Sequence, residues 1–142
     1  MIVKYSQLKR VLSTLLFTTL LSTNIYAAKE VVIGAVFPLT GPIATYGQES
    51  VNGIKLALKK INAAGKVKID LIVEDNKGEP HECANAVKKL ISANGVNAII
   101  GSVASSNTLA GAPIAQKAKV PLMTPASTNE KVTQTGDYIS RT

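Results

Sequence analysis

Two stretches rich in side-chain hydroxyl groups stand where a ligand-binding loop would be expected. Ser105-Ser106-Asn107-Thr108 opens a helical pattern after one apolar run, and Thr124–Glu130 follows the next apolar run along the chain. A helix start presents unpaired backbone N–H groups and the positive end of the helix dipole, so it attracts an anion such as a carboxylate. The alternative is that Ser105 or Ser106 merely caps its own helix and that the second stretch is an ordinary polar turn.

Residues for other kinds of chemistry are few. A single Cys and a single His exclude a cysteine- or histidine-based metal site. Glu74 and Asp75 end a strand pattern and could suggest a magnesium or receiver-type pocket, but no second acidic cluster accompanies them. Cys83 falls on the apolar stripe of a helix, which is typical of a small core residue.

No phosphate-binding glycine loop or nucleophile elbow occurs, so we predict a protein that is not an enzyme, with no catalytic residue, metal or cofactor.

Strand and helix patterns alternate from Glu30 onward. Near-continuous apolar runs predict buried strands, and apolar stripes at three- and four-residue spacing predict helices. The predicted strands cover 30–37, 67–75, 96–101 and 120–124, with another extended segment over 138–141. The predicted helices cover 48–64, the segment from Pro80 to the Asn94-Gly95 stop, and 105–118, in which Pro113 is expected to form a bend or irregular turn.

This order predicts an α/β fold of three layers, with a mostly parallel sheet and helices on both faces. Ligands of such sheets bind at the carboxyl ends of the strands. Three loops are predicted at that edge, over 38–47, 101–107 and 124–130. The first holds Tyr46, which either stacks against a ligand or packs on its neighbour.

The N-terminal segment has the order of a secretory signal peptide. Three basic residues, Lys4, Lys9 and Arg10, precede an apolar run over 11–21, which is shorter than the roughly 20 residues of a membrane-spanning helix. Small residues follow at Ala27 and Ala28. We therefore predict a signal peptide over 1–27, with cleavage after Ala28 as the alternative, and a soluble product exported to the periplasm.

The net charge of +7 does not indicate nucleic-acid binding. From Ala28 onward the chain contains 13 Lys and Arg and 9 Asp and Glu, which gives a net charge of +4 for this part. The lysines alternate with apolar residues on the predicted helices, without an arginine cluster or interleaved aromatic residues. We expect solvated helix faces and no nucleic-acid partner.

Four stretches of the chain resemble the periplasmic branched-chain amino-acid-binding proteins, the type I substrate-binding proteins of ABC transporters. The stretches are Ile33–Pro42 with Tyr46-Gly47, Asn52-Gly53 through Gly65, Ile99–Gly101 with Ala104-Ser105-Ser106, and Val120–Asn129. The resemblance extends over 30–142 and implies the lobe of a periplasmic-binding-protein fold. Some members carry a disulfide where this chain has Gly78 and Ala104, so the resemblance implies no such bridge here.

The resemblance also implies a set of ligand contacts in the loop Ala104-Ser105-Ser106 and its neighbours. The hydroxyl and N–H of Ser105, together with the N–H of Thr128, would hold the ligand carboxylate. The Ala126 carbonyl and the Thr128 hydroxyl would hold the ammonium. Tyr46 would cover the aliphatic side chain.

The function implied is capture of an amino acid, most simply leucine, isoleucine or valine, for an inner-membrane ABC permease. A sensor or receptor lobe that binds an amino acid or small amide for signalling is the alternative. Because members of this family have two lobes, we expect 28–142 to be an N-terminal lobe without its second lobe. We accordingly expect a fragment that binds free amino acids only weakly by itself.

Overall fold

Strands and helices alternate along the part of the chain that the computed structural model describes, residues 30–142. The predicted signal peptide lies outside these described residues. The elements are β1 (Glu30–Phe37), α1 (Ala44–Ala63), β2 (Lys68–Asp75), α2 (Pro80–Ser92), β3 (Ala98–Gly101), α3 (Ser105–Ala118), β4 (Leu122–Thr124), a 3₁₀ helix (Glu130–Thr135) and β5 (Ile139–Arg141). No helix within 30–142 combines the length and the apolar composition needed to cross a membrane.

The strands form one five-stranded sheet in the order β2-β1-β3-β4-β5, with every neighbouring pair parallel. The interior strand β1 pairs with both β2 and β3, so that Ala35 lies between Val73 and Ile100. Residues of β1 are buried on both faces of the sheet, Val36 on one and Ala35 and Phe37 on the other, which explains the continuous apolar run of β1. The predicted α/β class is confirmed.

Alternate residues of β1 divide the core into two layers. Val36 joins the larger buried cluster, which α2 and α3 build with Val87, Leu90 and Ala115 among others. Ala35 and Phe37 face the opposite side and pack with Val51 of α1. Helices therefore cover both faces of the sheet, as predicted.

Helix α1 begins at Ala44, four residues before the predicted start, so Tyr46 lies in its first turn rather than in a loop. The sequence pattern does not predict this first turn, because the apolar stripe of α1 starts only at Val51 and because Gly47 has a low helix propensity. Gly47 is nevertheless required there: a Cβ at this position would collide with the Pro38 carbonyl oxygen. The close approach of α1 to the loop at Pro38 thus requires glycine at position 47.

The prediction of a bend at Pro113 is wrong, because α3 runs through it without interruption from Ser105 to Ala118. Proline inside a helix costs about 3 kcal/mol through the lost hydrogen bond and the ring clash. Its neighbours Ala112 and Ala115 are fully buried in the larger core cluster. Tertiary packing of α3 therefore outweighs the local preference of Pro113.

Candidate ligand-binding site

The carboxyl ends of β1, β3 and β4 are neighbours at one edge of the sheet. The chain leaves that edge through Pro38–Ile43, Ser102–Ala104 and Pro125–Asn129. These segments correspond to the three loops predicted from the sequence, with the first shortened by the earlier start of α1. The fold thus places the residues expected to contact a ligand around one edge.

Helix α3 begins without a side-chain cap. Its N-cap is Ala104, and no side chain there bonds the first N–H groups. Ser105 and Ser106 are the first two helical residues, so the structure does not support the interpretation of either serine as a cap. Ser105 is half-buried, and the exposed Ser106 donates its hydroxyl to Asn107 Oδ1 at 3.3 Å. As the first two residues of the helix, both serines have backbone N–H groups without an acceptor within the helix.

The two hydroxyl-rich stretches are joined at Ser105. Its Oγ accepts a hydrogen bond of 3.2 Å from the backbone N–H of Asn129. The residue before Asn129 is Thr128, which is exposed and whose carbonyl accepts a 3.3 Å bond from the Arg141 guanidinium. The Ser105 hydroxyl keeps its own proton for donation, so an anion beside it meets a hydroxyl and several free N–H groups.

The other predicted contacts are less closely connected. Ala126 is exposed, with its N–H 3.4 Å from Thr124 Oγ1. Tyr46 is 64% exposed, and within 30–142 no hydrogen bond joins its phenol to Ser105 or Thr128. The structure therefore bonds Ser105 to the residue after Thr128, places Ala126 two residues before Thr128 in the same loop, and leaves Tyr46 on the separate helix α1.

A buried polar network lies directly behind these loops, and the sequence analysis missed it. It consists of five side chains, each at most 2% exposed: Asn76, Ser102, Thr108, Thr124 and Ser127. Ser102 has three of the bonds: its Oγ accepts from Asn76 Nδ2 (2.8 Å), its N–H donates to Thr108 Oγ1 (3.1 Å), and its carbonyl accepts from the Thr124 hydroxyl (2.6 Å). The fourth bond joins the hydroxyls of Thr108 and Ser127 at 2.8 Å.

One sequence signal could have revealed part of this network. Thr108 lies three, four and seven residues before Gly111, Ala112 and Ala115, which are all buried on the inner side of α3. A threonine on the buried stripe of a helix must find a hydrogen-bond partner inside the protein. Ser127 follows no comparable period and could not have been found in this way.

Asp75 organises the loop after β1. Its carboxylate accepts bonds from the Leu39 N–H (2.8 Å), the Thr40 hydroxyl (2.6 Å) and the Lys77 N–H (2.8 Å). Burial alone would raise the pKa of Asp75, but these bonds outweigh it and hold the pKa below its ordinary value of 3.8. Asp75 thus acts as an ionised anchor for the first loop.

The acidic pair at the end of β2 does not form a metal centre. Glu74 pairs with Lys89 at 2.8 Å, while Asp75 is occupied by loop N–H groups. No cluster of three potential metal-ligating side chains occurs in the described part of the chain. Both carboxylates are accounted for by structural partners.

A surface depression of about 630 Å³ lies away from this edge. It is formed between α2 and α3 by Pro113, Ile114 and Ala118, with Lys88 and Lys117 beside them. The Ser105–Thr128 region, in contrast, is a wall open to solvent. Ligand sites normally bury most of the ligand surface, and an open wall of this kind would cover only part of a ligand.

A parallel α/β lobe with an uncapped helix start and polar loops at its strand ends is an arrangement that can bind a small solute. The comparisons identify the family. Residues 30–141 match the family model described as periplasmic binding protein, and the chain belongs to that family.

Similar proteins carry names that agree with this assignment. The "Leu/Ile/Val-binding protein homolog 8" of Brucella abortus is 30% identical over 86% of this chain and 32% of its own length. The branched-chain amino acid transporter substrate binding protein LivJ from Streptococcus pneumoniae, solved with isoleucine, has a TM-score of 0.77 and 35% identity over 80% of this chain and 33% of that chain. A solute binding protein of an ABC transporter from Rhodopseudomonas palustris, solved with 3,4-dihydroxybenzoic acid, has a TM-score of 0.74 and 33% identity over 79% of this chain and 31% of that chain.

The chain spans about a third of the length of the curated relatives it matches. These relatives are named as binding proteins and not as enzymes, in agreement with the predicted absence of catalysis.

Proposed function

We propose that this lobe captures an amino acid, most simply leucine, isoleucine or valine, for uptake by an ABC permease. The observation that carries the proposal is the junction of the two polar loops, where Ser105 Oγ bonds the Asn129 N–H. Around this bond lie the N–H groups of Ser105 and Ser106 and the exposed Thr128. A carboxylate is the ligand group that matches such a set of donors.

The ligand orientation follows from these donors and acceptors. The carboxylate accepts from the Ser105 hydroxyl and N–H and from the Thr128 N–H, beside Ala104 and Ser106. The ammonium then faces the Ala126 carbonyl and the Thr128 hydroxyl. The aliphatic side chain extends towards α1, where the exposed ring of Tyr46 can cover it.

A carboxylate without an ammonium is the second candidate ligand. The observation that favours it is the relative solved with 3,4-dihydroxybenzoic acid. Such a ligand would use the Ser105 donors and leave the Ala126 carbonyl without a partner. Amino acids and aromatic acids therefore differ in their dependence on the ammonium subsite.

The location and the partner belong to the same proposal. The order of basic, apolar and small residues over 1–28 supports export to the periplasm, with 28–142 as the ligand-binding lobe. Family membership supports delivery to an inner-membrane ABC permease. We propose no nucleic-acid partner and no cofactor.

Titration of the ¹⁵N-labelled chain with leucine, followed by amide chemical shifts, tests the proposal. A single wall leaves much of the ligand in water, so we expect weak, saturable binding in the millimolar range, with the largest shifts at Ser105, Ser106 and Thr128. The matched probe 4-methylpentanoate has the same carboxylate and side chain but no ammonium, and we expect it to bind more weakly than leucine. Shifts absent from these residues at saturating leucine would refute the proposed site. Equal binding of 4-methylpentanoate, with tight binding of 3,4-dihydroxybenzoate, would favour the second candidate.

A further inference from the structure

Thr128 is fixed from both sides by bonds to the first turn of α3. Ser127, the residue before it, shares a 2.8 Å hydroxyl bond with Thr108. Asn129, the residue after it, donates its N–H to Ser105 Oγ at 3.2 Å. The two peptide groups around Thr128 therefore take their place from α3.

The inner bond is protected from water, while the outer bond is not. Thr108 and Ser127 are 1% and 2% exposed, whereas Ser105 is half-buried and Asn129 is exposed. In a water-free position a hydroxyl without a partner is costly, so the hydroxyls hold each other in a single geometry. The inner bond is thus the one that can keep its geometry when a ligand competes for Ser105.

Ser127 is also tied to the end of β4. Its N–H donates to Thr124 Oγ1 at 3.1 Å, and the two hydroxyl oxygens lie 2.9 Å apart. Thr124 in turn donates to the Ser102 carbonyl after β3. The network therefore joins the strand ends of β3 and β4 to α3 immediately behind the proposed ligand contacts.

We infer that Thr108 and Ser127 are positioning residues for the carboxylate half-site, holding the Thr128 N–H in register with the free N–H groups of α3. This inference rests on the proposed function. Neither hydroxyl touches the ligand; both act through the Thr128 backbone. A site with fixed donors binds more tightly than one that must order its loop on binding.

The variants Thr108→Val and Ser127→Ala remove one hydroxyl each, and Thr108→Ser keeps the hydroxyl as the rescue variant. Val87→Ala is the matched control, because Val87 is fully buried in the α2–α3 core and takes no part in the network. Each variant is measured at a temperature at which circular dichroism shows it to be folded. If Thr108→Val does not fold, Ser127→Ala, which only removes an oxygen atom, is the deciding variant.

The first readout needs no ligand. Amide hydrogen exchange at Ser127 and Asn129 reports opening of the loop, and we expect Thr108→Val and Ser127→Ala to accelerate it about threefold to tenfold, as loss of one hydrogen bond implies. Thr108→Ser should restore the slow exchange, and Val87→Ala should leave exchange at these two amides, relative to global stability, unchanged. Unchanged exchange in both network variants, or the same acceleration in Val87→Ala, would overturn the inference.

The second readout is the leucine titration described above. We expect both network variants to weaken leucine binding about threefold to tenfold, with Thr108→Ser and Val87→Ala close to the unsubstituted chain. Unchanged affinity in folded network variants would overturn the positioning role. Absence of leucine binding by the unsubstituted chain would instead refute the proposed function, and the exchange data alone would then decide whether Thr108 and Ser127 hold the loop.

Discussion

The hydroxyl oxygen of Ser105 accepts a 3.2 Å hydrogen bond from the backbone N–H of Asn129. This bond turns the Ser105 side chain away from its own helix and towards the next loop. The bond also restricts the direction of the Ser105 hydroxyl proton, because one side of the oxygen is occupied by the N–H of Asn129. A serine in this arrangement links the start of α3 to the following loop and retains one hydrogen-bond donor.

We expect Ser105→Ala to weaken leucine binding about tenfold, because a hydrogen bond to a charged group contributes roughly 1.5–3 kcal/mol and part of this is lost to solvent in an open site. The amide-shift titration measures it. Ser92→Ala, which removes an exposed hydroxyl from the far end of α2, is the control and should leave the affinity unchanged. Equal affinities for all three proteins would reject Ser105 as a ligand contact.

We expect Asp75→Asn to lower the free energy of unfolding at pH 7 by on the order of 1 kcal/mol, because an amide oxygen is a weaker acceptor than a carboxylate for the loop N–H groups. The pKa of Asp75 is lowered in the folded state, so its contribution is present above 3.8 and is lost as the pH falls through the lower, folded-state value. Urea unfolding at a series of pH values measures it, and the difference from the unsubstituted chain should shrink below that pH.

The control for this measurement is Asp70→Asn on the same strand, whose carboxylate pairs with the exposed Lys68 at 3.4 Å. An exposed pair of this kind contributes little. An Asp70→Asn effect as large as that of Asp75→Asn would contradict the anchoring role of Asp75.

We expect Gly47→Ala to destabilise the protein by about 1–3 kcal/mol, since the added methyl group must displace the Pro38 backbone. Gly53→Ala, in the same helix, is the matched control because a Cβ there meets no atom within 4 Å. That change should stabilise α1 by about 0.5–1 kcal/mol through lower backbone entropy of the unfolded chain. Thermal unfolding compares the two, and equal effects would be inconsistent with the close contact.

We expect Cys83 to resist alkylation by iodoacetamide at pH 8 in the native protein. The side chain is 1% exposed, and burial raises the pKa of its thiol to about 11, which suppresses the reactive thiolate. The reaction followed by mass spectrometry should proceed rapidly once denaturant is added. Rapid modification under native conditions would show that the α2–α3 interface opens without global unfolding.

We expect export to cleave the chain after Ala27, or alternatively after Ala28. N-terminal sequencing of the protein from a periplasmic fraction measures the site. Retention of Met1 in folded protein from the cytosol would contradict both the proposed localisation and the proposed role in uptake.

The parts of the fold that could be predicted are those controlled by local pattern. Strand β1 was predicted with its observed bounds, Glu30–Phe37, because an apolar run ends there at Pro38. The first turn of α1 was missed because its reason, the approach of Gly47 to Pro38, connects a helix with a loop. The continuation of α3 through Pro113 was missed for a similar reason, since burial of Ala112 and Ala115 decides it.

The candidate site divides in the same way. The loop positions follow from the order of strands and helices, and the roles proposed for Ser105 and Thr128 are those that the family resemblance implies. The position of Thr108 on the buried stripe of α3 indicates that it needs a buried partner, but that the partner is Ser127 could not be predicted, because the bond joins residues 19 positions apart and depends on how β4 lies beside α3. Hydroxyl side chains look alike in a sequence whether they face water or a buried partner.

The two layers of the core differ in size, and this difference affects the order in which the parts of the protein unfold. On its own side of the sheet α1 has only Val51 fully packed against Ala35 and Phe37, and its Leu56 and Ile61 are 59% and 42% exposed. The opposite layer holds α2 and α3 with a much larger buried cluster. Cooperative units with little buried apolar surface open first, so we expect α1 to detach in a subglobal step below the main transition. Moderate heating would then displace Tyr46 together with α1, while Ser105 and Thr128 remain in place.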